Sequence, residues 1–139
     1  MFRILIAIVA GISIGVLGAS AAYHEGERVA VLSERNIVEK LDSKEAKAIV
    51  VEVTLEPGQA GAPHRHPGPA FGYVLEGEYE WGVDDQPAKV LKAGETFYEP
   101  TMCLHRVSKN PSAKGKTRIL AIVLAPRNAE QIAIPEPQK

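Results

Sequence analysis

Beyond residue 22, this sequence of 139 residues holds no long stretch with a clean helical period. Short apolar runs are instead cut every few residues by Gly, Pro, Asn or Asp. That is the pattern of an all-β sandwich or barrel. Ala48–Leu55 places Ile49, Val51, Val53 and Leu55 on one face of a strand, because alternate side chains of an extended backbone share a face. It stops at Glu56-Pro57-Gly58. Further strands are expected over Phe71–Leu75, Tyr79–Val83, Ala88–Leu91, Thr96–Glu99, Leu104–Ser108 and Thr117–Ala125. Arg28–Leu32 is a weaker strand, Glu39–Lys47 a short helix, and Pro135 and Pro137 mark a loose polar tail.

The start of the chain has a different character. One basic residue, Arg3, precedes the apolar stretch Ile4–Leu17, and small residues follow in Gly18–Ala22. Those are the three parts of a secretory signal peptide, with cleavage expected after Ala21 or Ala22. Uncleaved, the same segment would be a membrane anchor, since it is almost long enough to span a bilayer. The expected organisation is a signal peptide over 1–22, an N-terminal strand region over 23–45, a barrel over 46–126 and a tail over 127–139. The protein is expected to be exported, periplasmic or extracellular, touching membrane only through an uncleaved N-terminus.

Charge excludes one class of partner. Sixteen Lys and Arg stand against seventeen Asp and Glu. Nucleic acid demands a clustered basic excess, so none is expected as a partner. A single cysteine, Cys103, excludes an internal disulfide framework and any Cys-cluster metal site. Its expected place is the core, as an inert thiol.

Four histidines remain after the leader: His24, His64, His66 and His105. His24 sits beside the cleavage point and reads as a tail position. His64 and His66 are two residues apart, so an extended backbone turns both imidazoles to one face and Arg65 away. Such a pair can chelate one ion. His105 follows roughly forty residues later, a separation that hairpins of an antiparallel barrel can close.

The segments around these histidines resemble the two sequence motifs of the cupin superfamily. Its first motif runs Gly, five residues, His-x-His, three or four residues, Glu, six residues, Gly. Here Gly58 precedes His64-Arg65-His66 by that spacing, and Gly77 closes the motif. Its second motif runs Gly, five residues, Pro-x-Gly, two residues, His, three residues, Asn. Gly94, Pro100, His105 and Asn110 fall on it, Asn110 one residue late. The resemblance covers about Val50 to Ala125. It implies a single-domain double-stranded β-helix, or jelly-roll barrel, with a metal held at its mouth. It also implies a homodimer, in which the region before Leu41 packs on a neighbouring barrel.

Two positions depart from the pattern. Counting back from Gly77, the family's ligand glutamate should stand at residue 70, which is Ala70. Met102 replaces the second motif's glycine. Three readings follow. His64, His66 and His105 form a three-histidine centre, as in some cupin oxygenases. Or Glu99, in a position the family fills with an apolar residue, shares the inward parity of Phe97 and supplies the missing carboxylate. Or the metal is gone and the barrel is a binding module. The metal expected is one divalent transition ion, Fe(II) first, with Zn, Mn, Ni or Cu also suited to imidazole and carboxylate.

Trp81 and Phe97 are assigned to the core, and Phe71, Tyr73 and Tyr98 to a pocket above the metal for a small organic molecule. Arg65 and Arg106 have the opposite parity to the histidines and are expected outside. The expected function is a dioxygenase-like enzyme acting on a small organic molecule, with a non-catalytic binding or sensing cupin as the alternative.

Overall fold

The computed structural model describes residues 21–24 and 26–137; the first twenty residues of the expected signal peptide lie outside the described residues. The described chain consists of strands, bends and turns, without a helix. They are β1 (Ala21–His24), β2 (Glu27–Leu41), β3 (Lys44–Leu55), β4 (His64–Arg65), β5 (Ala70–Glu76), β6 (Glu78–Val83), β7 (Lys89–Lys92), β8 (Thr96–Glu99), β9 (His105–Lys109), β10 (Thr117–Pro126) and β11 (Ile134–Pro135). They form a six-stranded sheet, β1-β2-β3-β10-β5-β8, and a five-stranded sheet, β11-β4-β9-β6-β7. This is an all-β structure, as the strand pattern predicts, and the jelly-roll that the resemblance implies. All the pairings are antiparallel.

Alternation decides what each strand buries. In β3, Ile49, Val51 and Leu55 face inward, and in β10 Ile119, Val123 and Ala125 do the same. Leu55, Val74 and Ile119 of the larger sheet close on Tyr79 of the smaller one, with Val53, Trp81, Leu91 and Phe97 packed around them. A second cluster joins Ile49, Val51 and Ala125 to Val29, Val31, Ala129 and Ile132. Burying each such aliphatic side chain contributes roughly 1.5–3 kcal/mol. Asn110 is fully buried below them, donating to the carbonyls of Leu55 and Gly115 and accepting from the Ser112 N–H. It thereby ties the end of β3 to the loop before β10.

Three local expectations change. The helix expected over Glu39–Lys47 is a hairpin between β2 and β3. Asp42 and Ser43 both take positive φ, 48° and 63°. Two such residues make a tight turn whose twist matches the flanking strands, so pairing outcompetes the weak helical pattern. His24 is not in a loose tail but in β1, where it pairs with Glu27. The C-terminal segment is also anchored. The Arg127 N–H donates to the Glu45 carbonyl and the Glu136 N–H to that of Pro63, while β11 pairs with β4. Arg65 holds Glu136 through Nε at 2.9 Å. Polar composition concealed this because the anchoring bonds are mostly backbone ones.

The turn positions explain two of the sequence signals. Gly77 lies at φ 78°, and a Cβ there would sit 2.4 Å from the Lys116 carbonyl oxygen. Met102, where the family carries glycine, keeps the left-handed backbone at φ 61°.

Gly72 in β5 makes room for the Phe97 ring, since a Cβ would lie 1.9 Å from that ring. Phe97 is in turn stacked against Tyr79 and Trp81. Gly72→Ala is therefore expected to destabilise the barrel by about 1–3 kcal/mol through overpacking. Urea unfolding measures this; unchanged stability would mean that the ring has another place to go.

Candidate metal centre

Strand register brings the histidines together. His64 of β4 pairs directly with His105 of β9, so two residues far apart in sequence become cross-strand neighbours. His66 follows two positions after His64 and returns to the same side. The ring centroids of His64 lie 4.8 Å from His66 and 4.9 Å from His105. One ligating atom from each of the three lies within 4.8 Å of the others.

Hydrogen bonds decide which nitrogen each ring offers. His64 Nδ1 donates to the Ala62 carbonyl at 2.8 Å, and His66 Nδ1 donates to the Ile132 carbonyl. A carbonyl only accepts, so both protons sit on Nδ1 and both Nε2 atoms are bare. His105 is held the other way round. The Tyr79 hydroxyl gives its proton to Ser108 Oγ at 3.0 Å and so accepts from His105 Nε2 at 3.2 Å. That leaves His105 Nδ1 bare. Every imidazole is anchored through its outer nitrogen, the arrangement that metal-ligating histidines adopt.

Glu99 enters from the other sheet. Its Oε1 is 3.2 Å from His105 Nδ1 and its Oε2 3.4 Å from His66 Nε2. Oε1 also accepts from Trp81 Nε1 at 3.1 Å. Glu99 is 1 % exposed. Yet Oε2 of Glu99 and Nδ1 of His105 have no hydrogen-bond partner. The two residues are close enough for an ion pair but do not bond to each other. Burial also drives both sides toward neutrality: it pushes Glu99 up to about 7, and pulls His66 down to about 4 and His105 to about 3. We therefore read the contact not as an ion pair but as two bare imidazole nitrogens facing a carboxyl group whose proton an ion would displace.

That convergence is the test of fit for a metal. Orphaned buried acceptors are costly, and a cation placed among them removes the cost. Nitrogens about 2.0–2.1 Å from an ion lie at most about 4.2 Å apart, so the widest pair would close by at least about 0.6 Å on loading. The residues fit. The three-histidine set closes without Glu99, whose carboxylate reaches two of its members.

The position of Glu99 also explains Ala70. In the pairing of β5 with β8, Ala70 stands directly opposite Glu99. Cross-strand neighbours have Cβ atoms only about 4.5–5.5 Å apart. A carboxylate one strand over can thus reach the same space, and alanine at 70 leaves room for it.

The expected pocket aromatics are elsewhere. Phe71, Tyr73 and Tyr98 lie on the outer face of the larger sheet, 48 %, 44 % and 50 % exposed. Phe71 stacks with Tyr98 there, at 5.2 Å between centroids. The reason is parity: they alternate with Ala70, Gly72, Phe97 and Glu99, which face inward. The cavity beside the histidines is lined instead by Ala70, Tyr79 and Phe97, by valines of β2 and β3, and by the C-terminal segment around Ile132. Tyr79, Trp81, Ser108 and the Ile132 carbonyl orient the centre, and the sequence analysis gave none of them that role. Tyr79 and Trp81 share a strand face, but their contact with the site depends on how β6 meets β9 and β8. Arg65 points away to Glu136 and the Met102 carbonyl, and Arg106 to the carbonyls of Asp84 and Gln86. Cys103 is buried and free, with its thiol pushed up to about 11 by burial.

Residues 51–123 match the family model of the Cupin domain. The chain belongs to the cupin family. Its fold is similar to that of an uncharacterised protein with a double-stranded β-helix domain from Klebsiella pneumoniae, at 24 % identity and TM-score 0.60 over 83 % of this chain and 90 % of that one. An RmlC-like cupin from Shewanella frigidimarina is similar at 20 % identity and TM-score 0.58, over 85 % and 95 %. An oxalate oxidase in complex with the substrate analogue glycolate shares 25 % identity at TM-score 0.51, over 58 % of this chain and 43 % of that one. This cupin therefore spans less than half the length of that enzyme. No protein of curated function matches the chain.

Alanine at His64, His66 or His105 is expected to weaken metal binding by at least about a hundredfold, because losing only an outer partner of a ligand already costs about 10–100-fold. Competition with a chelator of known affinity measures this, and a variant that binds like wild type would remove that residue from the centre. A pH series separates Glu99 from the histidines. In the metal-free protein His66 and His105 are already neutral well above pH 4, whereas Glu99 gains its proton as pH falls through about 7. If Glu99 ligates, the ion must displace that proton. Affinity should then drop by up to about tenfold per pH unit below 7. Glu99→Gln should flatten this dependence; equal slopes in both proteins would leave Glu99 outside the coordination.

Proposed function

We propose that this cupin is an exported metalloprotein with one divalent transition ion on His64, His66, His105 and Glu99, acting as an oxygenase-like enzyme on a small organic molecule. The observation that carries the reading is the convergence of three bare imidazole nitrogens and an unpartnered buried carboxylate oxygen. Three neutral nitrogens and one anionic oxygen suit Fe(II) and its neighbours, and six-coordination would leave two positions for exchangeable ligands. A redox ion held there would supply the ability to bind substrate and activate dioxygen together.

The chain's own residues contribute the rest. Tyr79 and the carbonyls of Ala62 and Ile132 fix the imidazole tautomers. Trp81 holds one oxygen of Glu99 in place. The apolar walls lower the local dielectric and so strengthen the electrostatics at the centre. The alternative, a binding or sensing cupin without catalysis, would use the same cavity.

Elemental analysis of protein isolated from the cells that make it, followed by dioxygen-uptake assays against small organic compounds, tests the reading. About one redox-active ion per chain and substrate-dependent uptake that is lost in His105→Ala are expected. A zinc-only or metal-free protein would overturn the oxygenase assignment.

A homodimer belongs to the same proposal. Leu32 and Val38 of β2 are 56 % and 92 % exposed, in the segment expected to pack on a neighbouring barrel. Sheet edges and large exposed apolar side chains are what such packing protects. Light scattering is expected to give twice the chain mass, and Val38→Asp to lower it; a monomeric wild type would contradict the assembly.

A further inference from the structure

The cavity above the histidines encloses about 410 Å³, within the range of small-molecule sites and equal to the liquid volume of about a dozen waters. Val29, Val31, Val51, Val53, Val123 and Ile132 form much of its wall. Its polar groups fall into two sets. The histidines, Glu99, Tyr79 and Ser108 occupy one region, while Glu27, Glu130 and Gln131 come from β2 and the C-terminal segment. Glu130 and Gln131 are exposed lining residues. Among the described residues, no Lys or Arg lines the cavity. Arg65 and Arg106, each next to a histidine in sequence, are committed elsewhere, Arg65 to Glu136 and the Met102 carbonyl and Arg106 to the carbonyls of Asp84 and Gln86.

From this lining we infer that the cavity selects a small, neutral, largely apolar molecule with a single polar end directed at the histidines, and rejects small carboxylates. A carboxylate taken out of water needs a cation or several donors to replace its hydration. Here the wall offers methyl groups, and the fixed charge that lines the cavity is acidic. The one positive charge on offer would be the ion itself, already partly offset by Glu99. A ring or branched chain loses nothing by desolvation and gains from the valines. The C-terminal segment contributes to this choice, because Ile132 both walls the cavity and holds His66 by its carbonyl.

The selection rests on the proposed function only in assigning the polar end to the metal; the wall chemistry belongs to the chain alone. The test therefore uses metal-free protein, with calorimetric titration of three probes that share one ring: benzyl alcohol, benzylamine and benzoate. Benzyl alcohol is expected to bind at least tenfold more tightly than benzoate, with benzylamine, a cation at neutral pH, also weaker than the alcohol. Ala121→Phe, which fills the cavity from its wall, should abolish binding. Gln131→Arg, which adds a cation at an exposed lining residue and leaves the core intact, should narrow the gap between alcohol and benzoate. Benzoate binding as tightly as the alcohol, no binding by any probe, or an undiminished signal in Ala121→Phe would each overturn the inference. A failed metal titration would leave all of these results untouched, so the two proposals fail separately.

Discussion

The carboxyl group of Glu99 is 1 % exposed, and hydrogen bonds compensate its burial only in part. Glu99 is sealed between the two sheets, with one oxygen on the Trp81 indole and the other facing His66 unbonded. Such burial is expensive in any protein unless a counter-charge arrives. The neighbouring imidazoles do not provide it, because burial keeps them neutral as well. A buried group left unsatisfied in a cavity wall calls for an explanation, and a bound ion is one. The rest of the barrel can be understood as the framework that holds these groups at that spot.

The framework acts through register. A slip of one residue between β4 and β9 would separate His64 from His105 and turn a whole face outward. A slip between β5 and β8 would take Glu99 away from the space that Ala70 leaves. Gly72, Phe97 and the stacked Tyr79 and Trp81 fix the second register, and the same aromatics orient Glu99 and His105. Core packing and site geometry are therefore not separable in this cupin. Glu99 stands at the position directly paired with Ala70, where the family motif carries its carboxylate.

Much of this was legible in the chain because strand parity is local. The alternation in Ala48–Leu55, the His64–His66 pair and the inward parity of Glu99 with Phe97 all follow from neighbouring residues. The same rule, applied to Phe71, Tyr73 and Tyr98, places them outside; aromatic bulk alone had argued for the pocket. What the sequence concealed is non-local. The contact of Trp81 with Glu99 and the hold of the Ile132 carbonyl on His66 join residues 18 and 66 positions apart. The C-terminal segment carries few apolar residues, and its anchoring by backbone bonds and two ion pairs, Arg65–Glu136 and Arg127–Glu45, leaves no periodicity to read. The hairpin at Asp42–Ser43 was hidden for a different reason, since neither residue is glycine although both adopt its preferred φ.

The account turns on whether Glu99 takes the place of the missing carboxylate. The most direct measurement is a crystal structure of the zinc- or manganese-loaded protein with the ion located by anomalous scattering. The account predicts one ion, with His64 Nε2, His66 Nε2, His105 Nδ1 and a Glu99 oxygen all at about 2.0–2.2 Å. An ion held by the three histidines while the Glu99 carboxylate stays unbound, or an ion seated elsewhere, would contradict it.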